Sequence, residues 1–245
     1  MSPGRLAVGI HGAGGRMGTR IIQLLAADPA LALAAALERP DHPRLGEDAG
    51  LVAGIGKLGT PISVEPDPAT KLDVMIDFSL PPGALKVAQL CADRGVPLVV
   101  GTTGFDPDER KRLETFQKNI ALLISPNMSK AVNLLGRLAR LAEAALGSDC
   151  EVAIVERHHR TKKDAPSGTA LMLARQVGRP VDVHALRMGD NPGEHTVIFG
   201  LMGETLEFAH RAANRDGFAR GALDAARFLA GKPPGLYTVD DWLGV

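Results

Sequence analysis

The sequence predicts an α/β fold: a parallel sheet with crossover helices, joined to a smaller α+β unit with a mixed sheet. Two observations lead there. Through the first half, short continuous apolar runs alternate with segments of helical periodicity, as expected of strands buried on both faces. Beyond Asn127 that alternation stops, and strand-like segments gather together. The length of 245 residues fits one large domain or two modest ones.

The elements follow in order. Residues 6–11 form a strand candidate that runs into a glycine turn. Residues 17–27 carry Ile21, Ile22, Leu24 and Leu25 at helical spacing, and 31–37 form a second apolar strand that ends on Glu38-Arg39. Further apolar strands are expected over 73–78, 96–100 and 120–125, each bounded by turn residues. Helices are expected between them, over 83–94 after Pro81-Pro82, and over 106–118 with Pro107 as a first helical residue. After Asn127 an amphipathic helix is expected over 130–145, then a strand over 150–155 and a helix over 167–177. Strands over 195–199 and 205–210 and a helix over 221–229 complete the reading. The expected division is 1–126 with 214–245 as one domain and 127–213 as the other.

Composition narrows the function. Hydrophobic residues at 45% and charged residues at 23% are ordinary globular usage and exclude a disordered chain. Lys plus Arg (28) equal Asp plus Glu (28), and aromatics are scarce at 4%, so a nucleic-acid partner is not expected. The longest purely apolar run, 31–37, is far short of the ~20 residues of a membrane span. Cys91 and Cys150 lie far apart with no CxxC, and the N-terminus shows no signal-peptide core. The expectation is a cytoplasmic protein without a metal site.

Two clusters carry chemistry. The first is the turn Gly12-Ala13-Gly14-Gly15-Arg16-Met17-Gly18, between strand and helix. Without Cβ atoms its backbone can approach a pyrophosphate, whose charge then faces the amides of the helix N-terminus. Glu38 closes the next strand about 20 residues on, where an acidic group grips the ribose hydroxyls of NAD. Arg39 beside it suits the 2′-phosphate of NADP. Gly101-Thr102-Thr103-Gly104 and Ser125-Pro126-Asn127 follow later strands and are placed to complete a dinucleotide site at their carboxyl ends.

The second cluster is Glu156-Arg157-His158-His159-Arg160-Thr161-Lys162-Lys163-Asp164, in which six of the seven residues from Arg157 to Lys163 are basic or histidine. Ser167 is a natural N-cap, with the amides of Gly168 and Thr169 at the helix start. Cations beside a helix N-terminus hold carboxylates, and histidine is the usual general acid near neutral pH. Together the clusters point to reduction of a small anionic, dicarboxylic substrate by a nicotinamide. A semialdehyde dehydrogenase would require a nucleophilic cysteine, which neither Cys91 nor Cys150 is placed to supply. A dinucleotide-sensing module would leave the cationic segment with no substrate to serve.

The run from Glu156 to Ala170 resembles the signature of the 4-hydroxy-tetrahydrodipicolinate reductase (dihydrodipicolinate reductase) family. So do the glycine turn, Glu38-Arg39, Gly101-Thr102-Thr103-Gly104-Phe105, Pro126-Asn127, Gly193-Glu194-His195-Thr196, Phe218-Ala219 and Gly221-Ala222. The resemblance implies a Rossmann-like dinucleotide-binding domain and a substrate-binding and oligomerisation domain whose sheet assembles a homotetramer. It further implies NADH- or NADPH-dependent reduction of a cyclic dicarboxylate in the diaminopimelate route to lysine. On it, His158 is the proton donor, Lys162 assists, and His159, Gly168 and Thr169 bind substrate. Gly12, Ala13, Gly14, Gly15, Arg16, Met17, Glu38, Arg39, Gly101, Thr102, Thr103, Ser125, Pro126, Asn127 and Met128 contact the cofactor, and domain closure brings the reactants together. The sequence departs from that family in a shorter 178–192 segment, in Met128, in Lys130-Ala131 and in Arg157.

Overall fold

Apolar runs long enough to be buried on both faces pair side by side, and the first unit is built on them. The computed structural model describes residues 4–244. In chain order it begins β1 (Leu6–His11), α1 (Arg16–Ala26), β2 (Leu31–Leu37), α2 (Ala49–Val52), β3 (Ile62–Ser63) and β4 (Val74–Asp77). It continues through α3 (Pro81–Arg94), β5 (Leu98–Val100), α4 (Pro107–Thr115) and β6 (Ala121–Ile124). The second half holds α5 (Lys130–Leu146), β7 (Glu151–His158), α6 (Gly168–Val177), β8 (Asp182–Arg187), β9 (Glu194–Leu201) and β10 (Glu204–Arg211). The chain then closes with α7 (Asp216–Leu229), β11 (Gly235–Tyr237) and α8 (Val239–Leu243).

It divides into two compact units. The first reaches to Met128 and resumes at Phe218; the second is Ser129–Gly217. In the first, seven strands lie in the order β11-β6-β5-β4-β1-β2-β3, every neighbouring pair parallel. Strand side chains alternate between the faces. Val8, Ile10, Ile76, Val99 and Leu123 pack with Ile21, Ile22 and Leu25 of α1 and with Ala222, Leu223 and Ala226 of α7. Met75, Leu98, Val100 and Leu122 face the other way, onto Ala84, Val87 and Cys91 of α3 and Leu113 of α4. Helix ends obey local chemistry. Asp106 and Glu109 form a capping box around Pro107, and Gly95 ends α3 in the left-handed region at φ 64°.

In the second unit the sheet order is β10-β9-β7-β8, with β7 parallel to β8 and antiparallel to β9, which pairs antiparallel with β10. Ile154, Val197 and Phe199 on one face pack against Leu135 and Ala139 of α5 and Leu173 of α6. α6 is the crossover that the parallel β7–β8 pair requires.

Several expected boundaries move. The strand expected to stop at residue 155 continues through His158, because β9 pairs with it as far as Arg157 and β8 as far as His158. α7 begins at Asp216 rather than 221, and α3 at Pro81. β8 lies in the short 178–192 segment that the sequence left without an element. β3, β11, α2 and α8 are likewise additions. Among the described residues no helix is long and apolar enough to cross a membrane.

Close backbone packing fixes the return of the chain to the first unit. A Cβ on Gly221 of α7 would lie 1.6 Å from the Met128 carbonyl oxygen, a contact that only backbone movement relieves. Gly221→Ala is therefore expected to lower Tm by roughly 6–12 °C in calorimetry, taking about 3 kcal/mol for overpacking at about 2–4 °C per kcal/mol for this chain length. On Gly217, in the same helix, the nearest heavy atom to an added Cβ is 4.0 Å away. Gly217→Ala is expected to leave Tm unchanged or raise it, since alanine is the better helix former.

Candidate active site

In the parallel sheet the strand order reverses between β1 and β4, and ligands of such sheets sit outside the carboxyl ends at that crevice. The glycine turn lies there. Gly12 has φ +79°, and a Cβ on it would stand 2.4 Å from the Phe78 carbonyl oxygen; one on Gly18 would stand 2.1 Å from the Gly12 carbonyl oxygen. Bare backbone is thus a steric requirement at both positions. α1 starts with no side-chain cap at Gly15, so its first amides remain for an anion.

Glu38 is buried beside this turn. Its Oε1 accepts from the Gly14 amide at 3.0 Å and its Oε2 from the Arg39 amide at 3.2 Å, with His42 Nε2 3.8 Å from Oε1. The neighbouring Arg39 is exposed and pairs with Asp41 at 2.6 Å. A glycine cradle, an uncapped helix start and a carboxylate at the end of the second strand fit a dinucleotide.

Sequence reasoning missed Asp77. Fully buried at the end of β4, it accepts from His11 Nδ1, Ser79 Oγ and Thr102 Oγ1, each at 2.6 Å. Thr102 also accepts from the Ser79 amide, so its hydroxyl proton is committed to Asp77. Gly101 leaves room for the Phe78 ring, 2.4 Å from where its Cβ would be, whereas Thr103 and Pro126 are exposed. Ser125 Oγ donates to the Asn127 carbonyl at 2.8 Å, and the Met128 side chain lies in the core of this unit. The signal for Asp77 was present: an acidic residue closing an apolar strand, as at Glu38.

The second unit gathers the other cluster. Residues two apart on a strand share a face, so Glu156 and His158 lie on the same side as Ile154, toward α5 and α6. Cross-strand register puts His195 opposite Glu156, His210 opposite His195, and Arg187 opposite His158. Glu156, with 0% exposure, receives His158 Nδ1 at 2.5 Å, both terminal nitrogens of Arg187 at 2.8 and 2.7 Å, and the Ser167 amide at 3.0 Å. Ser167 caps α6 by accepting from the Ala170 amide and sits 3.2 Å from His195 Nε2. Gly168 and Thr169 open the helix. Lys162 pairs with Asp164 at 2.8 Å, and His159 Nδ1 lies 2.7 Å from Thr161 Oγ1. Arg187 is therefore an addition to the predicted cluster, and Glu156, Ser167 and His195, present in the sequence motifs without an assigned contact, are drawn together around His158.

Electrostatics follow from burial. Burial alone would raise the Glu156 carboxyl, but Arg187, His158 and the Ser167 amide outweigh it and hold the group below the usual carboxylate range. Burial depresses His158, reinforced by Lys162 and Arg187 and opposed by Glu156. His195 is pushed down to about 3 by burial first and then by His158, and burial also lowers His210.

The family model for "Dihydrodipicolinate reductase, N-terminus" matches residues 6–128, and that for "Dihydrodipicolinate reductase, C-terminus" matches residues 131–243. The chain belongs to the dihydrodipicolinate reductase family. It is 46% identical over 263 residues to the 4-hydroxy-tetrahydrodipicolinate reductase of Anaeromyxobacter sp. (strain Fw109-5), covering 96% of this chain and 97% of the relative. The enzyme of the same name from Syntrophus aciditrophicus (strain SB) is 41% identical over 262 residues, with the same coverage. Among solved structures, the dipicolinate-bound dihydrodipicolinate reductase of Paenisporosarcina sp. TG-14 shares the fold, with TM-score 0.78 and 23% identity over 97% of this chain and 98% of that one. GenD2 of gentamicin A biosynthesis, solved in complex with NAD, is a more distant fold neighbour at TM-score 0.64 and 16% identity, over 99% and 91% of the two chains. Like its family, the chain is an oxidoreductase, and its first unit has the Rossmann-like parallel sheet.

The depressed histidines set a pH dependence. His158, His195 and His210 all bind a proton less readily folded than unfolded. The unfolded chain therefore takes protons first, and stability falls as pH drops through the ordinary imidazole range. Urea unfolding at about pH 7.5 and about pH 5.5 is expected to show that loss. His195→Asn is expected to reduce the difference between the two pH values; an unchanged difference would mean that His195 titrates alike in both states.

Proposed function

We propose that this reductase converts 4-hydroxy-tetrahydrodipicolinate to tetrahydrodipicolinate with NADH or NADPH, in the diaminopimelate route to lysine. The observation that carries the reading is a depressed, buried imidazole, His158, linked through Glu156 to the N-cap of α6 beside the cationic run. The reduced nicotinamide, when bound, supplies the hydride, and the substrate's 4-hydroxyl leaves as water, so that one hydride and one proton are taken up for each water lost. His158 delivers the balancing proton. An imidazole held below its ordinary value is a strong acid once protonated, and the charge of a dicarboxylate substrate favours that protonation. Lys162 stabilises developing negative charge, while His159 and the Gly168 and Thr169 amides hold the carboxylates.

On the cofactor side, the α1 N-terminus and the turn from Gly12 to Met17 take the pyrophosphate, and Glu38 takes the ribose hydroxyls of NADH. Arg39, exchanging Asp41 for a 2′-phosphate, admits NADPH. Gly101, Thr102, Thr103 and the segment Ser125 to Met128 line the nicotinamide end, the last through its backbone. The proposed quaternary state is a homotetramer, assembled through the sheet face opposite α5 and α6. That face presents Ala153, Val155, Thr196 and Ile198, each half-buried within one chain. The proposed location is the cytoplasm, a reducing compartment suited to the buried free thiols Cys91 and Cys150.

The test is NAD(P)H absorbance with freshly generated dihydrodipicolinate synthase product. His158→Ala and Lys162→Ala are each expected to lower kcat by about 10²–10³-fold with dinucleotide Kd unchanged by calorimetry. Near-normal kcat in both variants would refute their roles. KM for NADH and NADPH should agree within about tenfold. A preference of roughly a thousandfold, about 4 kcal/mol, would exclude dual use.

A further inference from the structure

With His158 as the proton donor proposed above, the groups behind its ring acquire a role that the sequence did not assign. Glu156 is fully buried, and a carboxylate there keeps its charge only if donors fill its oxygens. His158 Nδ1 and Arg187 Nη1 share Oε2, while Arg187 Nη2 and the Ser167 amide share Oε1. Arg187 is itself held in place, donating from Nη2 to the Asp164 carbonyl at 2.6 Å. A carboxylate at Nδ1 keeps the imidazole hydrogen there, which leaves Nε2 as the nitrogen that exchanges protons. Among the described residues none hydrogen-bonds Nε2. Gly193 faces it, and a Cβ on Gly193 would stand 2.9 Å from that nitrogen.

We propose that Glu156 and Arg187 are positioning residues of this reductase. Glu156 locks the His158 ring with Nε2 free to deliver the proton, and Arg187 balances the Glu156 charge so that the proton is not held too tightly.

The charged groups around His158 give the two residues opposite signs. Glu156 approaches from the same strand, Lys162 with its partner Asp164 from the following loop, and Arg187 from β8. His195 of β9 stacks edge-on at 5.2 Å, with His210 of β10 behind it, and α6 contributes the uncharged Ser167. Burial, Lys162 and Arg187 lower the His158 pKa, and Glu156 raises it. Removing the carboxylate charge should thus move His158 further down. Removing Arg187 should move it up, because a cation is lost and the Glu156 charge falls on His158 alone.

The experiment compares Glu156→Gln, Arg187→Met and Arg187→Lys in the full chain by two measurements. Imidazole ¹⁵N NMR, with the His158 signals assigned by their loss in His158→Gln, reads tautomer and titration whether or not the enzyme turns over. The pH profile of kcat/KM reads the same group through activity, on its alkaline limb, since the protonated form is the donor. Glu156→Gln is expected to mix the tautomers, shift the titration and the limb to lower pH, and lower kcat by about 10–100-fold. Arg187→Met is expected to shift both to higher pH, and Arg187→Lys to return them toward wild type. Opposite shifts in the NMR titration with an unmoved kcat/KM limb would uphold the positioning and remove His158 as donor. Shifts of the same sign, or none, in folded variants would overturn the positioning itself. If Glu156→Gln does not fold, the Arg187→Met shift and its reversal in Arg187→Lys carry the same decision.

Discussion

A carboxylate that water does not reach must be surrounded by donors, and Glu156 imposes that demand on the whole mixed-sheet unit. Its donors come from its own strand, from the parallel neighbour β8 and from the first residue before α6. The three elements are consequently fixed in register by one side chain. Breaking a buried pair of this kind costs about 3–5 kcal/mol, a large part of the ~5–15 kcal/mol that holds a typical domain folded. A slip of one residue along β7 would also turn Glu156 to the uncovered face and Val155 inward. The polar cluster and the apolar packing of Ile154, Val197 and Phe199 thus select the same alignment.

The parallel-sheet unit uses the same device at Asp77, with donors from the end of β1, from its own turn and from the residue after Gly101. That buried carboxylate binds the ends of three strands together at the point where their order reverses. Next to it, Gly12 and Gly18 let backbone pass where no side chain fits. One element supplies rigidity and the other room at the same strand ends.

These strands were legible because burial on both faces writes itself as unbroken apolar sequence; β1, β2, β4, β5 and β6 all lie within such runs. β3 and β11, two and three residues long and each directly after a proline, lie in no such run and are too short to show a period. β8 was illegible for another reason. It places Leu186 on the uncovered face and Arg187 on the covered one, which inverts the usual pattern. The cationic run and the glycine turn could be read as contiguous sequence. The Glu156–Arg187 and His11–Asp77 pairs could not, since their members lie 31 and 66 positions apart and meet only through strand pairing. Register is a property of the folded sheet, and one strand alone does not encode it.

The second unit is inserted into the first, which regains its last helices only at the end of the chain. Ala222, Leu223, Ala226 and Trp242 all belong to the core around β1 and β4. During synthesis the ribosome therefore releases the mixed-sheet unit complete while the parallel sheet still lacks the α7 layer over one apolar face. The first segment made is the last to be finished, and for that interval its uncovered sheet is the part of the nascent chain exposed to misassociation.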